Sequence, residues 1–272
     1  MRDNENRLQA NQSMPTPSIP TYTVPTDFAK LPSEGRFYPQ EHPLYGKKDI
    51  EIKFMTTKEE DIISNESYNS KGITIERLLG SLIVDKRIDP KTLLAGDQNA
   101  ILVNARKNAY GPNYELNVSC EVCETKNDVV IDLNNDDFVI KSDPELAVTN
   151  SGTFFVELPV SKLKLELRLL TGEDEAEIEK SLKQKAEAGL ELEPLSARLM
   201  KMIVSVNGNP SFPAKAGLVS QGLLMRDSDA VKDAHFKANP AYRVSMDVPC
   251  KLCGTHIKGV VPLTANFFWP NG

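Results

Sequence analysis

Residues 119–128 read SCEVCETKND and residues 249–258 read PCKLCGTHIK, and these two decapeptides hold all four cysteines of the chain. In a Cys-x-x-Cys knuckle the two-residue spacer bends the backbone so that both sulfurs face one ion, and two knuckles supply the four thiolates of a tetrahedral site. Thiolate softness selects zinc over hard cations. Cys120, Cys123, Cys250 and Cys253 are therefore the expected metal ligands, with structural Zn2+ as the cofactor. Because 126 residues (250 − 123 − 1) lie between Cys123 and Cys250, such a site must clamp the N-terminal half to the C-terminal half. An iron–sulfur cluster, redox dithiols and bare thiols stay open as alternatives. A thioredoxin-like role is poorly supported, since neither pair opens a helix in an early βαβ unit. Four cysteines also leave no water position for a catalytic zinc. His256, three residues after Cys253, could stand in as a ligand, but a surface or packing role suits it better when four cysteines are available.

Outward from the knuckles, the two halves follow one order. Strands are expected over 113–119 and 127–133 around the first knuckle, and over 242–248 and the segment IKGVVPL around the second. Upstream, IEIKFM (50–55) and KLKLELRLL (162–170) alternate as strands. Each leads into a helix start, Thr57 with Glu60 and Thr171 with Asp174. Helices are expected over 73–85 and 97–110, then over 172–188, 194–206 and, with a break, 216–238. Asp97, Ala100, Lys107, Val118, Cys120, Cys123 and Thr125 match Asp227, Ala230, Lys237, Val248, Cys250, Cys253 and Thr255 at one constant shift of 130. Arg77-Leu78 meets Arg198-Leu199 at 121, and Thr56 with Glu59 meets Thr171 with Asp174 at 115. Convergence of ordinary helix and strand patterns could produce such matches; the shared order favours a tandem pseudo-twofold repeat. The expected fold is α+β: two similar halves clamped by a four-cysteine zinc site, with an extended Pro-rich arm over 1–30, a first half over 31–145 and a second over 146–272.

The arm carries Pro15, Pro17, Pro20 and Pro25 and cannot build a core of its own, so it is either a disordered tail or a segment ordered by a partner. The C-terminal ANFFWPNG is either a strand closing on its own core or a hydrophobic plug into a partner. No apolar run reaches the roughly 18 residues of a membrane span, and MRDNENRLQANQ lacks the apolar centre of a signal peptide. A cytoplasmic site of synthesis is expected. Net charge is −6, which repels a phosphate backbone. Only Lys126, Lys251 and Lys258 lie near the knuckles, without stacking aromatics, so nucleic-acid binding through a zinc ribbon is the weaker reading.

Nothing in the sequence carries catalysis. The three histidines, His42, His235 and His256, stand in no pairing with a nucleophile, and no Walker loop, G-x-S-x-G, H-E-x-x-H or G-x-G-x-x-G occurs. The carboxylates Glu59-Glu60-Asp61 and Glu173-Asp174-Glu175 sit in first helical turns and read as caps. Neither an enzyme nor a small-molecule substrate is expected.

LPSEGRFYP, IEIKFMTTKEEDI, LIVDKRIDPKTLLAGDQNAILVNARKNAYGPNYELNVSCEVC and PCKLCG together resemble the baseplate hub proteins of T-even-type contractile-tailed bacteriophages, from about Leu31 to about Leu263. The resemblance implies a non-enzymatic structural component of the tail baseplate, in the hub or touching it, or a transient assembly chaperone of that hub. Its implied partners are other baseplate and tail proteins, and its place is the virion tail, with the host cytoplasm during assembly. It also carries the metal-ligand role onto Cys120, Cys123, Cys250 and Cys253.

Overall fold

The computed structural model describes residues 23–269. Most of the arm expected over 1–30 thus lies outside the described residues, and its end is not an arm. Residues Thr26–Lys30 form strand β1, antiparallel to β2 (Asp49–Lys53), whose DIEIK alternation buries Ile50 and Ile52. The segment between them, a loop by its Gly and Pro content, folds inward and buries Phe37, Tyr38 and Leu44. Gly35 makes that turn with φ +73, and a Cβ there would lie 2.4 Å from Leu44 O.

Helix α1 (Thr57–Ser64) is capped by Thr56, with Glu59 completing the box, one residue earlier than the expected Thr57 and Glu60. Glu59 also accepts from Ser81 Oγ at 2.5 Å. Next come α2 (Glu66–Lys71), α3 (Thr74–Leu82) and α4 (Ala95–Tyr110), then the hairpin β3 (Asn113–Ser119) and β4 (Lys126–Asp132). Short strand β5 (Val139–Ile140) crosses to the second half, where it pairs with β9 (Ala241–Tyr242).

The second half begins with β6 (Phe154–Glu157) and β7 (Lys164–Leu167), followed by α5 (Gly172–Glu187), which has the Thr171 and Asp174 capping box expected from TGED. The helix expected over 194–206 ends early. Helix α6 is Pro194–Met202, and the β-branched IVSV continues as β8 (Ile203–Val206), joining β7 at the sheet edge. The expected break in 216–238 is a π turn over 218–222, between α7 (Phe212–Gly217) and α8 (Met225–Ala238). Hairpin β10 (Ser245–Pro249) and β11 (His256–Val260) closes the order. The tail is no strand: a 3-10 turn at Ala265–Phe268 sends Phe267 and Phe268 into the protein's own core, Phe267 4.9 Å from Tyr114. One contiguous hydrophobic core runs through both halves.

Similar contacts occur in both halves, at offsets that vary along the chain. Leu31 N donates to Lys48 O and Leu158 N to Leu163 O. Ile83 bridges Ile52, and Ile203 pairs with Leu167. Ile83 N caps α3 on Leu79 O, as Ile203 N caps α6 on Leu199 O, a shift of 120 (203 − 83). This offset differs by one residue from the 121 of the Arg77-Leu78 match. Asp97 and Asp227, both fully buried, sit in the first turns of α4 and α8 and hold the hairpin loops of their own halves. Asp97 accepts from Ser33 N (3.0 Å), Ser33 Oγ (2.6 Å) and Tyr38 Oη (2.8 Å). Asp227 accepts from Val160 N (2.8 Å) and Ser161 N (3.1 Å).

Between the halves, the start of α4 lies on the β7–α5 junction. Leu94 bridges Thr171, Ala95 N donates to Leu170 O (3.2 Å) and Gly172 N to Leu93 O (2.9 Å). Gly96 lies so close to the end of α8 that a Cβ would stand 2.1 Å from Pro240 O. This is a site where only glycine fits.

Candidate metal centre

Both knuckles are hairpin turns, closed in the same way. Cys120 N donates to Thr125 O (3.0 Å) and Cys250 N to Thr255 O (2.8 Å). Glu124 N and Gly254 N return to the carbonyls of Cys120 and Cys250. The residue after each second cysteine is left-handed, Glu124 at φ +57 and Gly254 at φ +72, so the first knuckle places a non-glycine residue where the second has glycine. The hairpin ladders hold the knuckles out from the core with their sulfur faces toward each other.

All four sulfurs lie within 4.8 Å of one another, with Cys120 Sγ 3.6 Å from Cys253 Sγ and Cys123 Sγ 3.6 Å from Cys250 Sγ. Zinc–sulfur bonds of about 2.3 Å in a tetrahedron put sulfurs roughly 3.8 Å apart, close to these separations. Cys120 and Cys250 are buried against Ile257, Val118 and Val248, while Cys253 is exposed. The donor set and its geometry fit one soft tetrahedral cation.

The local field favours ionisation at the two sulfurs of the second knuckle. Backbone N–H groups of Cys253 and Leu252 point at Cys250 and bring its thiol down to about 6. The Thr255 hydroxyl and N–H lower Cys253. Cys120 faces the Cys123 and Val122 N–H groups, yet burial and its bonds to Cys253 and Cys123 raise its pKa. Four sulfurs this close cannot all ionise without a cation among them.

Asn127, which the sequence reading passed over, joins the knuckles. It is buried, its amide donates to Thr125 O (2.8 Å), and its carbonyl accepts from Lys251 N (2.8 Å). The same amide lies 3.7 Å from Cys250 Sγ. Its only sequence signal was its place two residues after Thr125. His256 turns away from the sulfurs and pairs with Asp247, which also binds Lys258 at 3.2 Å. Lys258 is therefore engaged within its own hairpin.

The other histidines lie apart from the sulfurs. His42 stacks on Tyr38, its Nδ1 accepts from Leu44 N, and Nε2 therefore carries the proton facing Thr92 Oγ1 at 2.9 Å. Burial lowers the pKa of His235, the largest cause of its shift. The carboxylates Glu59 and Asp174 are committed to helix caps, and Arg168 grips Asp174 with two bonds of 2.7 and 2.8 Å.

Residues 30–269 match the family model described as T4 bacteriophage base plate protein. Among curated proteins and solved structures nothing matches the chain. Among the described residues no helix is long and apolar enough to cross a membrane.

Proposed function

Because the chain belongs to the T4 bacteriophage base plate protein family, we propose that it works in the hub of a contractile tail baseplate or against it, as a non-enzymatic structural subunit. Its two halves are copies of one unit, divided near residue 145, and a structural zinc held by Cys120, Cys123, Cys250 and Cys253 clamps them. Its partners are other baseplate and tail proteins, and it reaches the virion tail after assembly in the host cytoplasm. The observation that carries this reading is the family match across most of the chain. The sulfur separations of 3.6 Å support the metal, and the paired hydrogen bonds of Asp97 and Asp227 support the duplication. The commitment of Glu59, Asp174 and His42 to caps and turns supports the absence of catalysis.

Peptide mass spectrometry on purified, DNA-filled particles and on infected-cell lysate tests the role. Peptides at fixed stoichiometry with tail proteins identify a resident subunit. Presence in lysate alone would overturn that reading in favour of a transient assembly chaperone. For the metal, Cys120→Ser should lose bound zinc and lower the melting temperature, whereas unchanged zinc content would reject the clamp.

A further inference from the structure

Away from the knuckles, the joint that α4 makes with the second half is one-sided. The start of α4 is covered by the second half, but the same stretch of α8 lies open: Leu224 is 49% exposed and Met225 75%. One face further along, Lys232 and Phe236 stand outward where their counterparts Leu102 and Arg106 are buried. The seat has an open counterpart too. Shifting Leu170, Thr171 and Gly172 by 115 gives Met55, Thr56 and Thr57, and both threonines are exposed. In the existing joint Ala95 N and Gly172 N are donors, and Leu170 O and Leu93 O are acceptors. Among the described residues, their counterparts Met225 N, Thr57 N, Met55 O and Leu223 O make no backbone bond. One chain thus carries an unused plug on its second half and an unused seat on its first.

We propose that the exposed start of α8 docks on the β2–α1 junction of a second copy of this chain, reproducing between copies the bridge that Leu94 and Thr171 make within one. Leu224 would pair with Thr56, Met225 N would donate to Met55 O, and Thr57 N to Leu223 O. The inference rests on the reading of the halves as copies, and it is independent of the metal. Because plug and seat are different surfaces of one chain, the contact closes a dimer where two copies exchange both across a twofold axis, and otherwise runs head-to-tail into a ring or an open filament. Two replacements set its character. Arg226 stands in place of Gly96, so α8 cannot approach its neighbour as closely as α4 approaches Pro240, while Ser228 in place of Gln98 leaves room for the Thr57 side chain where Gly172 has none. The intercopy joint is therefore looser than the internal one and suits copies brought together by a scaffold.

A photo-crosslinking residue at Met225, and separately at Phe236, in the full-length protein tests this at high concentration, with an equal mixture of light and heavy isotope forms. Mixed-isotope crosslinks from position 225 to residues 55–57 are the expected result. Thr57→Pro is the matched control. Proline is tolerated at the first position of a helix, and Thr56 is already extended at φ −122, ψ 178, so the fold should hold. It removes the N–H the bridge needs, and the crosslink should fall at least about fivefold with melting temperature unchanged. Crosslinks only within one copy, to another surface, or undiminished by Thr57→Pro would overturn the docking. The duplication itself is tested separately by the matched aspartate variants described below, so either can fail alone.

Discussion

Replacing Asp97 with alanine should be among the most damaging single changes outside the knuckles. The carboxylate accepts three hydrogen bonds of 2.6 to 3.0 Å, from Ser33 N, Ser33 Oγ and Tyr38 Oη, all on buried residues. A bond to a charged group contributes about 1.5–3 kcal/mol, and a buried donor left without a partner adds to the loss. Against that stands the cost of burying the charge: burial, the largest influence, raises the pKa of Asp97 despite the three donors. Tyr38 would keep one bond, since its oxygen still accepts from Leu94 N at 3.1 Å. Taking the three bonds as one unit and subtracting the relieved burial leaves a net destabilisation of about 4 kcal/mol. At about 2–4 °C per kcal/mol for a chain of this size, the melting temperature should fall by roughly 8–16 °C. Differential scanning calorimetry with urea titration measures both quantities. A fall of under about 2 °C would refute the argument that these bonds hold the loop to the helix. Asp227→Ala should act in the same direction but less, since it loses two backbone donors and no side-chain partner. An unaffected Asp227→Ala protein would reject the equivalence of the halves.

Three further outcomes follow from the packing. Gly96→Ala places a methyl 2.1 Å from Pro240 O and should cost about 3 kcal/mol or more, whereas Gly80→Ala, 3.6 Å from Pro90 Cγ within α3, should be neutral or slightly stabilising; urea midpoints separate the two. Burial works against the Asp174 charge, but the Arg168 guanidinium and the Thr171 N–H prevail and bring its pKa down to about 2, below the usual value near 4. Its contribution to stability is complete above about pH 4 and lost as pH falls toward about 2, so an acid titration should be flatter over that window in Asp174→Asn. Phe267→Ala empties a buried site against Tyr114 and should cost about 3–5 kcal/mol in the isolated protein, while an unchanged melting temperature would return the tail to a role in a partner.

The knuckles and the order of elements were legible because their signals are local. Two sulfurs three residues apart, the alternation in DIEIK and the TGED cap each act within one turn or strand. Where the reading slipped, a longer-range contact decided. Residues 203–206 look helical beside α6, but the edge of β7 offers hydrogen bonds that the β-branched IVSV takes as a strand. The first cap lay one residue from Thr57 because Glu59, not Glu60, can reach both Thr56 and Ser81. The hydrophobic tail had two readings until Tyr114 supplied a partner within the same molecule. Asn127 was invisible for the same reason, since its partner Lys251 lies 124 residues away. Asp97 and Asp227 stood in the matched pairs all along, but nothing local told a loop anchor from an ordinary first-turn carboxylate.

The wide spacing of the knuckles has a mechanical meaning. With metal in place, a pull applied at the two ends of the chain enters at Cys120 and Cys123 and leaves at Cys250 and Cys253, crossing through the metal–sulfur bonds. The 126 residues between Cys123 and Cys250 are then bypassed, and roughly 440 Å of extensible chain is withheld from the load. Residues 124–249, most of the second half among them, would stay slack while the ends are stretched. Under such a load the site would act as a fuse, which sets the force at which the hidden length is released.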